Sequence, residues 1–403
     1  MSPQKESKTK ERIYLDNSAS TAVDERVLSA MEPFWREVIG NAGSLHEEGR
    51  KAREAIEDAR AKVARAIHAL PENIIFTSGG TESNNHAIQG VVKERVLARN
   101  RKSDISILTT SVEHNSVLDK VFMLDRDGVQ VTYVPTDAEG KANIDVLKDS
   151  IMPQTVLISL IHVNNEIGTI QDVGAVMKVV RKYRKEHDTI YPLVHLDSSQ
   201  APAWVSVHAD TFGVDFISLD SQKLYGPKGV GALYIRDRET IEPILYGGNQ
   251  EQGLRPGTPV TPLVVGFAHA LEILEEERDS YVKDCREFRD WCIDYICKAL
   301  PDTVVNGPLD EWRTAGNINL TFNGVEGEQL VIELDVQGIA VSTGSACSFD
   351  NNTGSHVIHA LGKRNIDPLG TLRMTLSRHT TKEEVEKVAK NIVKTVQRLR
   401  EVH

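Results

Sequence analysis

The chain has 403 residues, enough for one large and one smaller folded unit, and its apolar (40%) and charged (26%) fractions are those of an ordinary globular protein. A formal net charge of −11 argues against a nucleic-acid binder, which carries a basic face. No run approaches the roughly 18 consecutive apolar residues that a membrane span needs, and Met1 to Arg12 is polar without the apolar centre of a secretory signal. The expectation is a cytoplasmic protein with a flexible tail at 1–12 and no membrane contact.

In chain order, apolar periodicity predicts helices over Asp24 to Val38 and Glu47 to His68, then a strand at Ile74–Thr77 and a helix from Thr81 to Ala98. A strand from Ile105 to Thr110, a helix from His114 to Leu124 and a strand from Val129 to Val134 follow. Next come a helix at Ile144 to Ile151, a strand at Thr155 to Val163, a helix at Val173 to Glu186 and a strand at Ile190 to Leu196. Phe216 to Leu219, Val230 to Ile235 and Ile244 to Tyr246 read as three more strands. Such alternation means an α/β unit with a mostly parallel sheet covered by helices on both faces.

After Pro259 the pattern changes. A long helical stretch from Leu263 to Leu300, broken near Ser280, leads to a strand at Asn317–Phe322. A helix from Gln329 to Asp335, a strand at Thr371 to Leu376 and a terminal helix from Lys382 to Val402 complete a smaller α+β unit. The division is 13–23 as an N-terminal segment of the small domain, 24–262 as the large domain and 263–403 as the small one. In open α/β sheets ligands sit at the carboxyl ends of strands, so chemistry is sought there.

Of the four cysteines, Cys285, Cys292 and Cys297 share one helical stretch with no metal-ligand spacing, and they read as packing residues. Cys347 stands apart in Ser342-Thr343-Gly344-Ser345-Ala346-Cys347-Ser348, followed by the polar run Asp350 to Ser355, which suits a mobile loop. No metal site is read from the sequence.

Three strand ends carry candidate chemistry. Thr77-Ser78-Gly79-Gly80-Thr81-Glu82-Ser83-Asn84-Asn85 follows a strand and opens a helix, whose free N–H groups and positive dipole end suit a phosphate; a plain N-cap is the alternative. His195-Leu196-Asp197-Ser198-Ser199-Gln200 ends a buried strand with an aspartate able to hold a protonated ring nitrogen, or simply to cap the next turn. Ser218-Leu219-Asp220-Ser221-Gln222-Lys223 sets a lysine beside a Gly-Pro-Lys-Gly turn, where a lysine in a water-poor site forms Schiff bases. A phosphate loop, an aspartate for a ring nitrogen and a lysine for an aldehyde together describe pyridoxal 5'-phosphate.

With these residues the chain resembles the cysteine desulfurases of iron–sulfur cluster assembly, in the fold-type I, class V aminotransferase superfamily. The resemblance runs from Tyr14 to the end. It rests on Tyr14 to Thr21, Thr77 to Asn85, Val112-Glu113-His114, Val163 to Gly168, His195 to Gln200, Lys223 to Gly229, Arg255 to Thr258, and Ser342 to Cys347. It implies Lys223 as the Schiff-base lysine, Asp197 on the pyridine nitrogen, Gln200 on the ring hydroxyl and His114 stacked on the ring and moving protons. Gly80 and Thr81 would bind the phosphate with Thr258 of the partner subunit, which implies a homodimer. Asn165 and Arg373 would take the substrate carboxylate, and Cys347 would be the nucleophile.

The implied reaction converts L-cysteine to L-alanine and leaves a persulfide on Cys347. The sulfur would go to an acceptor protein such as an iron–sulfur scaffold, or to thio-cofactor or tRNA biosynthesis. A selenocysteine lyase or another C–S lyase is the alternative within enzymes, and an impaired scaffold subunit the alternative outside them. A transient iron–sulfur cluster held in part by Cys347 is a further reading, for which the sequence offers no second ligand.

The chain departs from that pattern in four places. Gln222 stands where the family has histidine, and Asp220 where a phosphate-binding serine is expected. Gln222 retains an amide donor, and Ser221 is the candidate for the missing hydroxyl. Asn41 to His46 lacks a proline after the asparagine, and Asn249 replaces a glycine. A carboxylate beside a phosphate repels it, so the expected consequence is weaker phosphate anchoring.

Overall fold

The computed structural model describes residues 12–99, 104–344, 354–363 and 366–402. Its strands are β1 (Ile13–Tyr14), β2 (Ile74–Thr77), β3 (Ser106–Thr110), β4 (Gln130–Val134), β5 (Thr155–Ile161) and β6 (Leu193–Asp197). They continue with β7 (Phe216–Asp220), β8 (Gly231–Ile235), β9 (Thr303–Val305), β10 (Asn317–Phe322), β11 (Ile339–Ala340) and β12 (Thr371–Thr375). Seven form one sheet in the order β2-β8-β7-β6-β5-β3-β4. Only β8 runs against the rest, pairing antiparallel with both β2 and β7. The strand order reverses between β3 and β5, so the carboxyl ends there open a crevice.

The sheet is buried on both faces because neighbouring residues on each strand enter different cores. Ile107, Leu157, Leu193, Phe216 and Leu233 pack on one side with Ile88 and Val91 of the helix Gly80–Arg99 and Val117 and Val121 of the helix Asn115–Arg126. Their neighbours Leu108, Ile158, Val194, Ile217 and Ala232 pack on the other with the helices Glu47–Ala66, Val173–Glu186 and Thr261–Ala299. Near-continuous apolar runs in the sequence follow directly from this two-sided burial.

A three-stranded antiparallel sheet, β12-β10-β9, carries the C-terminal part, covered by the helix Lys382–Val402. β1 pairs parallel with β11, joining Ile13 to Ile339. The segment that follows β1 then crosses to the large sheet, where Thr21 N and Asp24 N donate to the carbonyls of Gln222 and Tyr225.

Several sequence expectations are corrected. The helix over Asp24 to Val38 is two short ones, Glu25–Met31 and Pro33–Arg36, because Pro33 has no N–H to continue the ladder. The stretch from Leu263 to Leu300 is one uninterrupted helix, Thr261–Ala299, with no break at Ser280. Arg278 and Tyr281, on either side of that serine, are held by the carbonyls of Pro202 and Ala203. Ile244 to Tyr246 is not a strand; Leu245 and Tyr246 are exposed and have no buried face to pair from. β1, β9, β11 and the short helices Ala209–Phe212 and His356–Ala360 were not legible. Residues 1–11 of the expected tail lie outside the described residues. No described helix is long and apolar enough to cross a membrane.

Candidate active site

The crevice at the carboxyl ends of β2, β3, β5, β6 and β7 is an open cleft. Gly80, Thr81, His114, Asn165, Asp197, Gln200, Asp220, Lys223 and Arg373 all line it. Of the sequence-derived candidates, the structure therefore brings eight together with Asp220.

β7 ends at Asp220, and a single tight turn, Ser221–Lys223, delivers the lysine. Its Nζ donates to the carbonyls of Ser18 (2.8 Å) and Ala19 (2.6 Å) in the crossing N-terminal segment. Gln200 Nε2 donates to the same Ser18 carbonyl at 2.9 Å, so one backbone turn orients both side chains.

Asp197 is the last residue of β6 and is fixed from two sides. Oδ1 accepts from Ser199 N (3.0 Å) and Ser199 Oγ (2.6 Å), and Oδ2 accepts from Asn84 Nδ2 (2.8 Å). Behind it lie polar groups whose charged forms burial disfavours. Burial pushes the imidazoles of His162 and His195 down to about 4, with Asp197 opposing. Burial also pushes the Glu113 carboxyl well up, against the Thr110 hydroxyl bond and with help from Asp197. Asp197 is thus held in one orientation by three hydrogen bonds.

His114 precedes the helix Asn115–Arg126 and caps it: Nδ1 accepts from Ser116 N at 3.1 Å. That bond requires Nδ1 to be unprotonated, which puts the proton of the neutral ring on Nε2. Burial lowers the His114 pKa, with Asp197 opposing and Lys223 adding to the lowering. The ring is therefore a neutral base at pH 7.

At the start of the helix Gly80–Arg99, Gly79 has φ +149°, which favours glycine, and Gly80 is needed for space. A Cβ on Gly80 would fall 2.6 Å from Ser199 Oγ and 3.2 Å from Asp220 Cβ. The first turn of the helix is thereby left open to the cleft.

Arg373 comes from β12 of the other sheet and is 1% exposed. One guanidinium nitrogen pairs with Asp16 Oδ1 at 2.7 Å, and another reaches the Asn165 carbonyl at 3.3 Å. Its Nε is buried with no hydrogen-bond partner among the described residues. Arg373 thus sets a buried cation in the cleft wall.

Three candidates lie elsewhere. Ser221 is fully buried with its hydroxyl against Gly226, where a Cβ would fall 2.2 Å away, because it follows Asp220 on the opposite side of the chain. It does not line the cleft. Gln222 touches the cleft only through Asp220, with Nε2 to Oδ2 at 3.2 Å. Thr258 is exposed and away from this cleft. Cys347 lies outside the described residues. His46, at the N-terminus of Glu47–Ala66, accepts from Gly49 N as a helix cap. Cys285 and Cys292 are buried thiols, both pushed up to about 12 by burial.

Sequence reasoning gave no role to Asn84, Ser199, Ser116 or Asp16. Asn84 was findable: four residues after Gly80, it faces the same side of the helix as the phosphate-type turn. Asp16 was not, since its partner is 357 residues away.

A lysine, a clamped aspartate and an open helix start around one crevice are the marks of a fold-type I cofactor enzyme. The chain belongs to the class-V aminotransferase family, in its cysteine desulfurase group; the aminotransferase class-V description matches residues 13–388. The cysteine desulfurase IscS of Dictyoglomus turgidum is 41% identical, covering 98% of this chain and 96% of its own length. Among solved structures, a NifS-like protein superimposes with a TM-score of 0.87 at 36% identity, covering 96% of this chain and all of its own. A structure described as SspA in complex with cysteine has a TM-score of 0.78 at 33% identity, over 92% of this chain and all of its own.

Proposed function

We propose that this chain is a pyridoxal-phosphate-dependent cysteine desulfurase that converts L-cysteine to L-alanine and takes the sulfur as a persulfide on Cys347. The observation that carries this is the convergence of Lys223, the clamped Asp197, the open helix start at Gly80 and the buried Arg373 in one cleft. The donor set fits the cofactor: an amine for its aldehyde, a carboxylate for its ring nitrogen, a helix start for its phosphate and an amide, Gln200, for its ring hydroxyl. Ser221 has no part in it. When bound, the cofactor supplies an electrophilic aldehyde and a protonated ring that accepts electrons from the substrate's Cα–H bond.

This chain's residues then have distinct tasks. Arg373 and Asn165 hold the substrate carboxylate, which fixes the amino group toward Lys223. Asp197 keeps the ring nitrogen protonated, because its charge is pinned by three donors. Lys223 Nζ and the neutral His114 carry the proton leaving Cα, and later return protons to the product. The Cys347 thiolate attacks the substrate sulfur; an S–S bond forms, the substrate's Cβ–S bond breaks, and Cβ keeps the electron pair and takes a proton to give alanine.

In the same reading, residues 24–262 form the large domain, with 13–23 and 263–403 forming the small one. Two copies associate so that Thr258 of the partner subunit completes the phosphate site. The protein works in the cytoplasm and passes sulfur to an acceptor protein for iron–sulfur clusters or thio-compounds. The test is incubation of the purified protein with L-cysteine, cofactor and a thiol reductant. Equal alanine and sulfide are expected, with both lost in Cys347→Ser; alanine formation that survives in that variant refutes the nucleophile.

A further inference from the structure

The phosphate end of the cleft holds a carboxylate. Asp220 ends β7 directly against the first turn of the helix Gly80–Arg99: a Cβ on Gly80 would lie 3.4 Å from its Oδ2, and one on Gly79 would lie 3.6 Å from its Oδ1. Resting on the cofactor reading above, we infer that Asp220 and the cofactor phosphate share one proton in the holoenzyme, so that this subsite accepts the phosphate only together with a proton.

The groups facing Asp220 do not neutralise it by themselves. Gln222 Nε2 donates to Oδ2 at 3.2 Å but is uncharged. Lys223, on the next turn, donates to the Ser18 and Ala19 carbonyls, and its charge acts on Asp220 without outweighing the effect of burial. Asp197 at the end of β6 adds a second negative charge, and His114 beside β3 is neutral at pH 7. Glu82, in the helix's own first turn, is turned to Ser78 N and Arg255. Burial pushes the Asp220 carboxyl up, with Gln222 and Lys223 opposing and Asp197 adding.

Magnitudes decide between two ways of admitting a phosphate. A carboxylate and one phosphate charge about 4 Å apart repel enough to weaken binding roughly a thousandfold at an effective dielectric of about 20. Protonating a phosphate whose second pKa is about 6 weakens binding only roughly tenfold at pH 7. Sharing a proton is therefore the cheaper arrangement. The bond that forms is a short O–H···O hydrogen bond between carboxyl and phosphate, with the proton drawn from solvent.

Equilibrium dialysis of pyridoxal phosphate and of pyridoxal, from pH 6.5 to 8.5, tests this on the intact chain, wild type against Asp220→Asn. The pH dependence of the ratio of the two dissociation constants, each corrected for the fraction of free aldehyde (pyridoxal closes to an internal hemiacetal), isolates the phosphate end. In the wild type the advantage of the phosphorylated ligand should fall roughly tenfold per pH unit above pH 7, the mark of one proton taken up. In Asp220→Asn it should stay flat, and phosphorus NMR of the bound ligand should change from monoanion to dianion; Asp220→Ser serves as the second variant. Parallel slopes in wild type and variants overturn the shared proton while leaving the cofactor reading intact. Failure of every form to bind pyridoxal phosphate overturns both.

Discussion

Asp16 and Arg373 offer a direct test of how the substrate end is built. Arg373 is 2% exposed and Asp16 19% exposed at their side chains, and they meet at 2.7 Å across 357 residues of sequence. Replacing Asp16 by asparagine keeps the shape and removes the charge, leaving the guanidinium with the Asn165 carbonyl and an unpartnered Nε. Stranding a buried cation costs about 3–5 kcal/mol, and the partial exposure of Asp16 sets the value near the low end, about 3 kcal/mol. That is a fall of roughly a hundredfold in the folding constant. Urea unfolding of the cofactor-free protein should show a lower midpoint at unchanged slope. An added amino-acid carboxylate, such as L-alanine, should restore more stability to the variant than to the wild type, because it replaces the lost partner. A loss below about 0.5 kcal/mol, or equal stabilisation of both proteins, would refute the reasoning.

Other perturbations reach different parts of the molecule. Gly80→Ala drives a Cβ to within 2.6 Å of Ser199 Oγ and dislodges a donor from Asp197; pyridoxal phosphate affinity should fall about 10- to 100-fold, read by dialysis. Glu251 takes two bonds from buried Arg60, at 2.7 and 2.8 Å, and one from Phe76 N; Glu251→Gln should cost about 3–5 kcal/mol in urea. His162 is buried and neutral, with its folded pKa pushed down from 6.5 to about 4 by burial. Its folded value lies below its unfolded one, so the unfolded chain binds the proton first as pH falls. The contribution is complete above about pH 6.5 and is lost toward pH 4, amounting to about 2 kcal/mol by pH 5. His162→Gln should lose correspondingly less stability than wild type between pH 7.5 and 5; an identical loss would place the acid sensitivity elsewhere.

The strand and helix pattern of the large sheet was legible because two-sided burial writes itself as apolar runs. The runs Ile74–Thr77, Val173–Glu186 and Asn317–Phe322 coincide with their elements residue for residue. β1 and β11 were hidden, since each is two residues long and exists only through the other. The same distinction governs the site. Lys223, Asp197 and Gly80 stand at strand ends and declare themselves by residue type. Ser221 has the right chemistry to substitute for its neighbour at a phosphate, yet it opens the turn after β7 with its hydroxyl against Gly226, away from the cleft that Asp220 lines. Asp16 and the Ser18 and Ala19 carbonyls act through contacts more than 200 residues long, which periodicity does not record.

The N-terminal segment from Ile13 to Asp24 has a consequence for how the molecule is made. It is synthesised well before its partners, which are Gln222, Lys223, Tyr225, Ile339, Arg373 and Thr375. It therefore waits for these partners until Thr375 has been synthesised, and then closes contacts of more than 350 residues in sequence separation. Because Ser18 and Ala19 hold Lys223, a chain whose body has folded but whose residues 13–24 have not docked lacks the two carbonyls that orient its ammonium group. The geometry of the cleft around Lys223 is thus completed by contacts that only the docked N-terminal segment supplies.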